Sequence, residues 1–220
     1  MRKLLPCVVL LVSAVLLAVP ASAVTITFED LASNPDGWGW LGPASGGPET
    51  YGGLEWSIDA AWASLSYEST IYSDLGGFGN TCNGEVAAFT AWALPIDFRV
   101  PYGQSTGFPS FDLNSMRIGA WCNDDQPVQI TGYRNGEIRY QETVYAQFDG
   151  GDLILNWTDL DFVGMDPTAG SGSHHDDFPY YGDHFVIDDV SYTPAPGLPA
   201  FALVGAAPLV GGIVRKLRKK

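Results

Sequence analysis

Aromatic side chains set among acids and amides are the residues of this chain best suited to chemistry, and the chemistry such a set could do is the stacking and hydrogen bonding of sugar rings. A sugar ring has apolar C–H faces that stack on an indole or a phenol, while carboxylates and amides take its hydroxyls. Of the seven tryptophans, Trp38 and Trp40 stand in a Trp38-Gly39-Trp40 stretch within a long Gly- and Pro-rich segment, residues 32–51. That segment reads as a loop, and a loop of this length without structure of its own is often functional. Trp38 and Trp40 are the first candidates for exposed stacking, with plugging of the sandwich end as the alternative. Tyr180 and Tyr181, in a second long loop over residues 166–183, come next. Trp56, Trp92 and Trp121 lie in or beside strand-like runs and are expected in the core.

The three histidines fall in His174-His175-Asp176-Asp177 and at His184. Such a cluster has the donor types for zinc or another divalent ion, but adjacent side chains on a loop do not readily aim at one metal, so a solvated loop is the default. No Gly-x-Ser-x-Gly elbow, His-Glu-x-x-His helix or phosphate-binding loop occurs. With 25 acids, some carboxylate pair always has the look of a glycosidase pair, so that pattern carries no information. The chain reads as non-enzymatic, with a polysaccharide hydrolase as the remote alternative. Asn156-Trp157-Thr158 fits a glycosylation sequon, a three-residue match of low specificity.

Charge divides the chain into three parts. Residues 1–23 read as a signal peptide: Met1-Arg2-Lys3, then an apolar run, then Pro20-Ala21-Ser22-Ala23 with small residues ahead of the cut. Signal peptidase would release a chain beginning at Val24. Residues 193–220 read as a short linker, an apolar segment and a basic tip, Arg215-Lys216-Leu217-Arg218-Lys219-Lys220. The apolar stretch of residues 198–214 would reach about 25 Å as a helix, near the lower limit for a bilayer span. Between them, residues 24–192 form one domain. Only Arg99, Arg117, Arg134 and Arg139 stand there against all 25 acids, a net charge near −21. That excludes nucleic acid, which requires a basic footprint, and disfavours anionic lipid.

Removal of the leader takes Cys7 away and leaves Cys82 and Cys122 as one even pair. In an exported chain a disulfide is the natural state, closing a loop of about 40 residues for roughly 4 kcal/mol on the chain-entropy account; two free buried thiols are the alternative.

Helical periodicity is weak, with 26 glycines and 15 prolines, and short alternating runs are frequent. They fall at 24–29, 53–58, 85–91, 96–100, 114–121, 128–134, 137–145, 153–156, 159–163 and 184–192. Asn135-Gly136 between two such runs predicts a type I′ hairpin, because both central residues need positive φ. Asp149-Gly150-Gly151-Asp152 is a second turn. About ten strands with irregular loops predict an all-β, antiparallel β-sandwich, flanked by a signal helix and a C-terminal transmembrane helix.

Two resemblances follow. At its end the chain resembles the PEP-CTERM proteins of Gram-negative bacteria, whose sorting signal is a short Pro-containing motif, a glycine-rich apolar helix and a terminal Arg/Lys cluster. Here Pro194-Ala195-Pro196 stands where Pro-Glu-Pro is usual. The resemblance implies an exosortase-like membrane enzyme as partner, transient anchoring, and a final place at the cell surface or in the extracellular matrix. Permanent anchoring is the alternative.

The segments Thr27-Phe28-Glu29-Asp30 and Phe185-Val186-Ile187-Asp188-Asp189-Val190 together resemble the first and last strands of the galactose-binding-like jelly rolls, which include many carbohydrate-binding modules. In that family the two strands lie side by side and their acids hold a structural calcium ion. The resemblance places Glu29 and Asp188 in that role, with Asp30 and Asp189 as neighbours that could share it. Calcium takes six to eight oxygens, so carboxylates gathered by strand pairing suit it; solvated sheet-edge acids are the alternative. The whole predicts an exported, non-catalytic surface or matrix protein associating with extracellular polysaccharide. A calcium-stabilised structural or adhesive protein without a sugar site is the second expectation.

Overall fold

A computed structural model describes residues 21–33, 36–42, 50–57, 59–64, 77–90, 94–101, 109–121, 123–167 and 183–195. Residues 1–20 of the expected signal peptide, the apolar tail and Pro196 lie outside them, as do Trp92, Cys122, His174, His175, Tyr180 and Tyr181. Ser22–Ala195 form one unit. Among the described residues no helix is long and apolar enough to cross a membrane.

Among the described residues twelve strands build two antiparallel sheets that form a sandwich. One sheet has seven strands. Its order is β10 (Gly151–Leu160), β7 (Phe111–Ala120), β12 (Phe185–Pro194), β5 (Val86–Thr90), β4 (Ala60–Ser64), β2 (Trp38–Trp40), with β1 (Val24–Ile26) also paired to β12. The other has five: β3 (Glu55–Trp56), β6 (Ile96–Arg99), β11 (Phe162–Pro167), β8 (Gln126–Arg134), β9 (Glu137–Ala146).

Alternation explains which side chains meet. Successive residues of a strand face opposite sides, so β8 sends Val128 and Ile130 inward while Gln129 and Tyr133 face out. The core between the sheets holds Phe98, Phe111, Leu113, Ile118, Leu160, Met165 and Ile187, all buried. Each such side chain contributes roughly 1.5–3 kcal/mol when removed from water. Phe98 lies against Trp56 with ring centroids 5.1 Å apart and against Phe111 at 6.0 Å. Trp56 and Trp121 are buried, as expected of them. A smaller apolar cluster lies on the outer face of the seven-stranded sheet. There Ala63, Ala87 and Val186 alternate with the inward residues of β4, β5 and β12 and are covered by Phe78, Cys82 and Trp121. Phe78 belongs to a one-turn helix, α1 (Gly77–Thr81).

Most strand expectations match in place, and the hairpin does too: Asn135 has φ 52° and Gly136 φ 78°, joining β8 to β9. The differences have local causes. The run at 24–29 ends as a strand at Ile26, because Phe28 takes φ 61° and turns the chain into a 3-10 turn, Glu29–Ser33. Residues 153–156 and 159–163 are not two strands. β10 runs through residues 151–160, and β11 begins at Phe162. Asn156 (φ 50°) and Asp159 (φ 56°) are bulges in β10. The register shifts there let Trp157 and Leu160 both reach the core, three residues apart. β2 and β4 escaped the sequence reading: β2 is too short, and β4, Ala-Ala-Trp-Ala-Ser, is buried along its whole length and so does not alternate.

Candidate functional site

The acids singled out above gather where two strands part. β12 runs along β7 on one side. On its other side Val186 and Ile187 pair with β5, and Val190 to Tyr192 pair with β1. Asp188 and Asp189 occupy the interval. Asp189 has φ 47°, and the register with β7 slips between Asp188 and Ser191, which marks a bulge. Across the gap, the turn at Phe28 drops its ring into the core, stacked on Tyr51 at 5.6 Å, and delivers Glu29 on the 3-10 turn. Glu29 therefore does not lie in the first strand, as the sequence predicted; it lies just beyond it.

A sheet that opens this way leaves backbone N–H groups without ladder partners. The carboxylates supply them. Glu29 accepts from the Glu85 N–H at 3.0 and 3.1 Å and from the Val86 N–H at 3.2 Å. Asp188 accepts from the Asn83 N–H and from the Asp189 N–H, each at 2.7 Å. Asp189 accepts from the Asn83 side-chain amide at 2.8 Å. Three acids thus hold one segment, Asn83 to Val86, at the entrance to β5. Asp30 turns elsewhere and accepts the Tyr51 hydroxyl.

Electrostatics at this junction are strained by burial. Asp188 is 1% exposed, and burial pushes its carboxyl up to about 7. The N–H groups of Asn83 and Asp189 pull the other way, and the charges of Asp189 and Glu29 add to the rise. Arg117 stands opposite Asp188 in register, but its guanidinium donates to Thr81 O at 2.7 Å and Asn80 O at 3.0 Å and pairs with Asp152 at 3.4 Å. Burial likewise pushes the Cys82 thiol up to about 12, with the charges of Asp188, Glu29 and Asp189 adding to it. Burial and Asp30 together raise the Tyr51 phenol.

The donors here are hard oxygens of one sign, the chemistry a calcium ion requires. The four acids do not close into one cage, because Asp30 faces Tyr51. Among the described residues no three His, Cys, Asp or Glu side chains converge to hold a metal. An ion at Glu29 and Asp188 would complete its shell with backbone oxygens or water.

The other candidates separate in space. Trp38 and Trp40 are not in a structureless loop; they form β2, the last strand of the seven-stranded sheet among the described residues, beside β4. Gly39 faces the core ring of Trp62, so alternation puts Trp38 and Trp40 together on the outer face. Their centroids are 5.9 Å apart, edge to face. Trp38 is 39% exposed and Trp40 half-buried. His184 is buried, not on a solvated loop. Its Nδ1 lies 2.6 Å from Thr90 O, and burial lowers its pKa. Cys82 carries a free, buried thiol; its expected partner Cys122 lies outside the described residues. Of the sorting motif, Pro194 closes β12 opposite Phe111 and the Ala195 N–H donates to Ser110 O at 2.7 Å, so the last strand runs into the motif.

One feature was not legible as a motif. The outer face of the five-stranded sheet carries a groove of about 210 Å3, lined by Asp97 on β6, Phe162, Gly164 and Asp166 on β11, and Gln129, Thr131 and Tyr133 on β8. Burial raises the Asp97 carboxyl. These residues are alternate positions of three strands, so only strand register brings them together.

No family model matches the chain, and no curated protein matches it. Among solved structures, a mutant of the family 29 carbohydrate-binding module CBM29-2 is 14% identical with a TM-score of 0.37, covering 80% of this chain and 94% of that one. The family 32 module from C. perfringens NanJ, in complex with galactose, is 11% identical with a TM-score of 0.34, covering 78% and 98%. TmCBM61, in complex with beta-1,4-galactotriose, is 10% identical with a TM-score of 0.32, covering 76% and 94%. Likeness at this level transfers neither a ligand nor a site.

The raised Asp188 carboxyl has a consequence for stability. The folded state retains a proton that the unfolded chain gives up, so this group's contribution is full below the ordinary carboxylate range and is lost as pH rises through about 7. In chelator-containing buffer, the unfolding midpoint of wild type relative to Asp188→Asn should move against wild type between about pH 4 and pH 7, then level off. A difference that does not change with pH refutes the assignment.

Proposed function

We propose that this protein is an exported, non-catalytic β-sandwich of the cell surface or extracellular matrix that associates with polysaccharide. The observation that carries the reading is the Trp38–Trp40 pair: an indole exposed at 39% and braced edge to face by a second on the last described strand of its sheet. An exposed indole held in place loses little freedom when a sugar ring stacks on it. The domain's net charge near −21 directs the choice of ligand toward neutral sugars. Trp38→Ala should weaken binding to a glycan-array hit about two- to tenfold, in line with a stacking energy of about 0.5–1.5 kcal/mol. Binding that is unchanged in this variant removes the tryptophan pair from the site.

We read the sandwich as a galactose-binding-like jelly roll, supported by β1 lying beside β12. A calcium ion at Glu29 and Asp188, with Asp189 near by, would neutralise the buried like charges and hold the Asn83–Val86 segment. Added calcium should raise the unfolding temperature at pH 8 and a chelator should lower it; equal midpoints in both buffers dismiss the ion. This site also supports the second reading, a calcium-stabilised structural or adhesive protein, which a glycan array without hits would favour.

Delivery rests on the two ends of the sequence. The leader would be removed by signal peptidase. The tail that follows Pro194-Ala195-Pro196 would be read by an exosortase-like enzyme, with transient anchoring before release. Intact-mass measurement of the native protein should give a chain that starts at Val24 and lacks the basic tip. A native protein that retains both ends overturns this route.

A further inference from the structure

The groove on the five-stranded sheet is built around a missing side chain. On β11 the outward residues are Phe162, Gly164 and Asp166, opposite Tyr133, Thr131 and Gln129 of β8. On β6, Asp97 faces Gly164 and Arg99 faces Phe162. Gly164 is thus the low point of a row that runs across the sheet from Asp97 through Thr131 to Gln141 of β9. Four strands at about 4.8 Å spacing make this row about 14 Å long. Tyr133 and Phe162, edge to face at 5.3 Å, wall it on one side; Asp166 and Gln129 wall it on the other.

Among the described residues no core packing requires glycine at 164. It is not among the positive-φ glycines. Among the described residues an added Cβ would meet the side chain of Phe162 alone, Cε1 at 3.3 Å and Cζ at 4.0 Å, so the half-exposed ring would have to give by a few tenths of an ångström. Gly132, on the neighbouring strand, differs: its Cβ would run into Trp157 and Leu160 of the core at 3.0–3.2 Å, so packing explains it. A glycine inside a strand costs about 0.5–1 kcal/mol relative to alanine, and where packing and dihedrals do not demand it, it marks the close approach of a ligand or another backbone.

The groups around the floor specify the occupant. Among the described residues no hydrogen bond engages the side chains of Asp97, Gln129 or Asp166, so their oxygens and amide are open to hydroxyls. The lining holds two carboxylates, and the nearest cation, Arg99, is bonded to Glu55. An anionic polymer is repelled there; neutral hydroxyls donate to the carboxylates in charge-assisted bonds. Tyr133 and Phe162 supply the apolar face.

We propose that this groove binds a neutral glycan chain laid across β6, β11 and β8, with Gly164 kept bare so that a sugar ring rests on the sheet. The proposal rests on the polysaccharide reading but places a binding surface on the opposite sheet from Trp38.

Affinity electrophoresis of the full protein tests it, in gels containing galactan, mannan, xylan, β-glucan or polygalacturonate. Wild type should be retarded by at least one neutral polysaccharide and not by polygalacturonate. Gly164→Val should reduce that retardation at least tenfold while the protein still unfolds cooperatively, because valine suits a strand and fills the groove against a half-exposed Phe162 ring that can shift. Should Gly164→Val fail to fold, Gln129→Ala and Asp97→Asn carry the same readout. Folded groove variants retarded like wild type overturn the groove and leave the polysaccharide reading intact, with Trp38→Ala then showing the loss. Wild type retarded equally by polygalacturonate overturns the neutral ligand. Wild type retarded by no gel overturns the groove and the polysaccharide reading together.

Discussion

Strand β12 must satisfy three neighbours, and the rest of the structure follows from how it does so. β7 takes one whole side. The other side is shared by β5 and β1, and two strands cannot meet end to end on one edge without a break in the hydrogen-bond ladder. The bulge at Asp189 and the positive φ of Phe28 are the two backbone irregularities that accommodate that break. Each would cost on the order of a kilocalorie or more alone. They persist because the carboxylates they deliver take up the N–H groups of Asn83, Glu85 and Val86 that the break leaves without partners.

The solution concentrates negative charge. Asp188 is buried with Glu29 and Asp189 as its like-charged neighbours, and Arg117, which register puts opposite it, is committed to the end of α1 and to Asp152. The junction is therefore both the brace of the sheet and its point of electrostatic tension. A proton on Asp188 relieves that tension, and so would a divalent ion. The proton ties the stability of the sandwich to the acidity of its surroundings.

The two sheets then divide the remaining work. The seven-stranded sheet has its outer face covered by α1 and Trp121 at one end and carries the Trp38–Trp40 pair, with Trp38 partly exposed, at its last described strand. On the five-stranded sheet, small and polar outward residues leave a trough instead of an apolar patch. Residues 24–192 carry no lysine and four arginines, so an anion approaching these surfaces meets repulsion.

Residue types alone determined much of this. Alternation located most of the strands, Asn135-Gly136 located the hairpin, and the distribution of charge excluded nucleic acid. Each of these is a local property, readable within a few residues. Tertiary structure decided the rest. It turned Trp38-Gly39-Trp40 from a loop into a strand, because β4 offered it a partner. It made residues 151–160 one strand with two bulges, since both Trp157 and Leu160 had to reach the core. It moved Glu29 off the first strand while keeping it at the acids of the last. It also assembled Asp97, Gly164 and Thr131 from three strands, 34 and 33 positions apart in order of sequence distance from Gly164's neighbours on β6 to β8 and on to β11. Such neighbours arise from register, and register depends on which strands pair, a long-range choice made by the shared core and invisible in any window of the sequence.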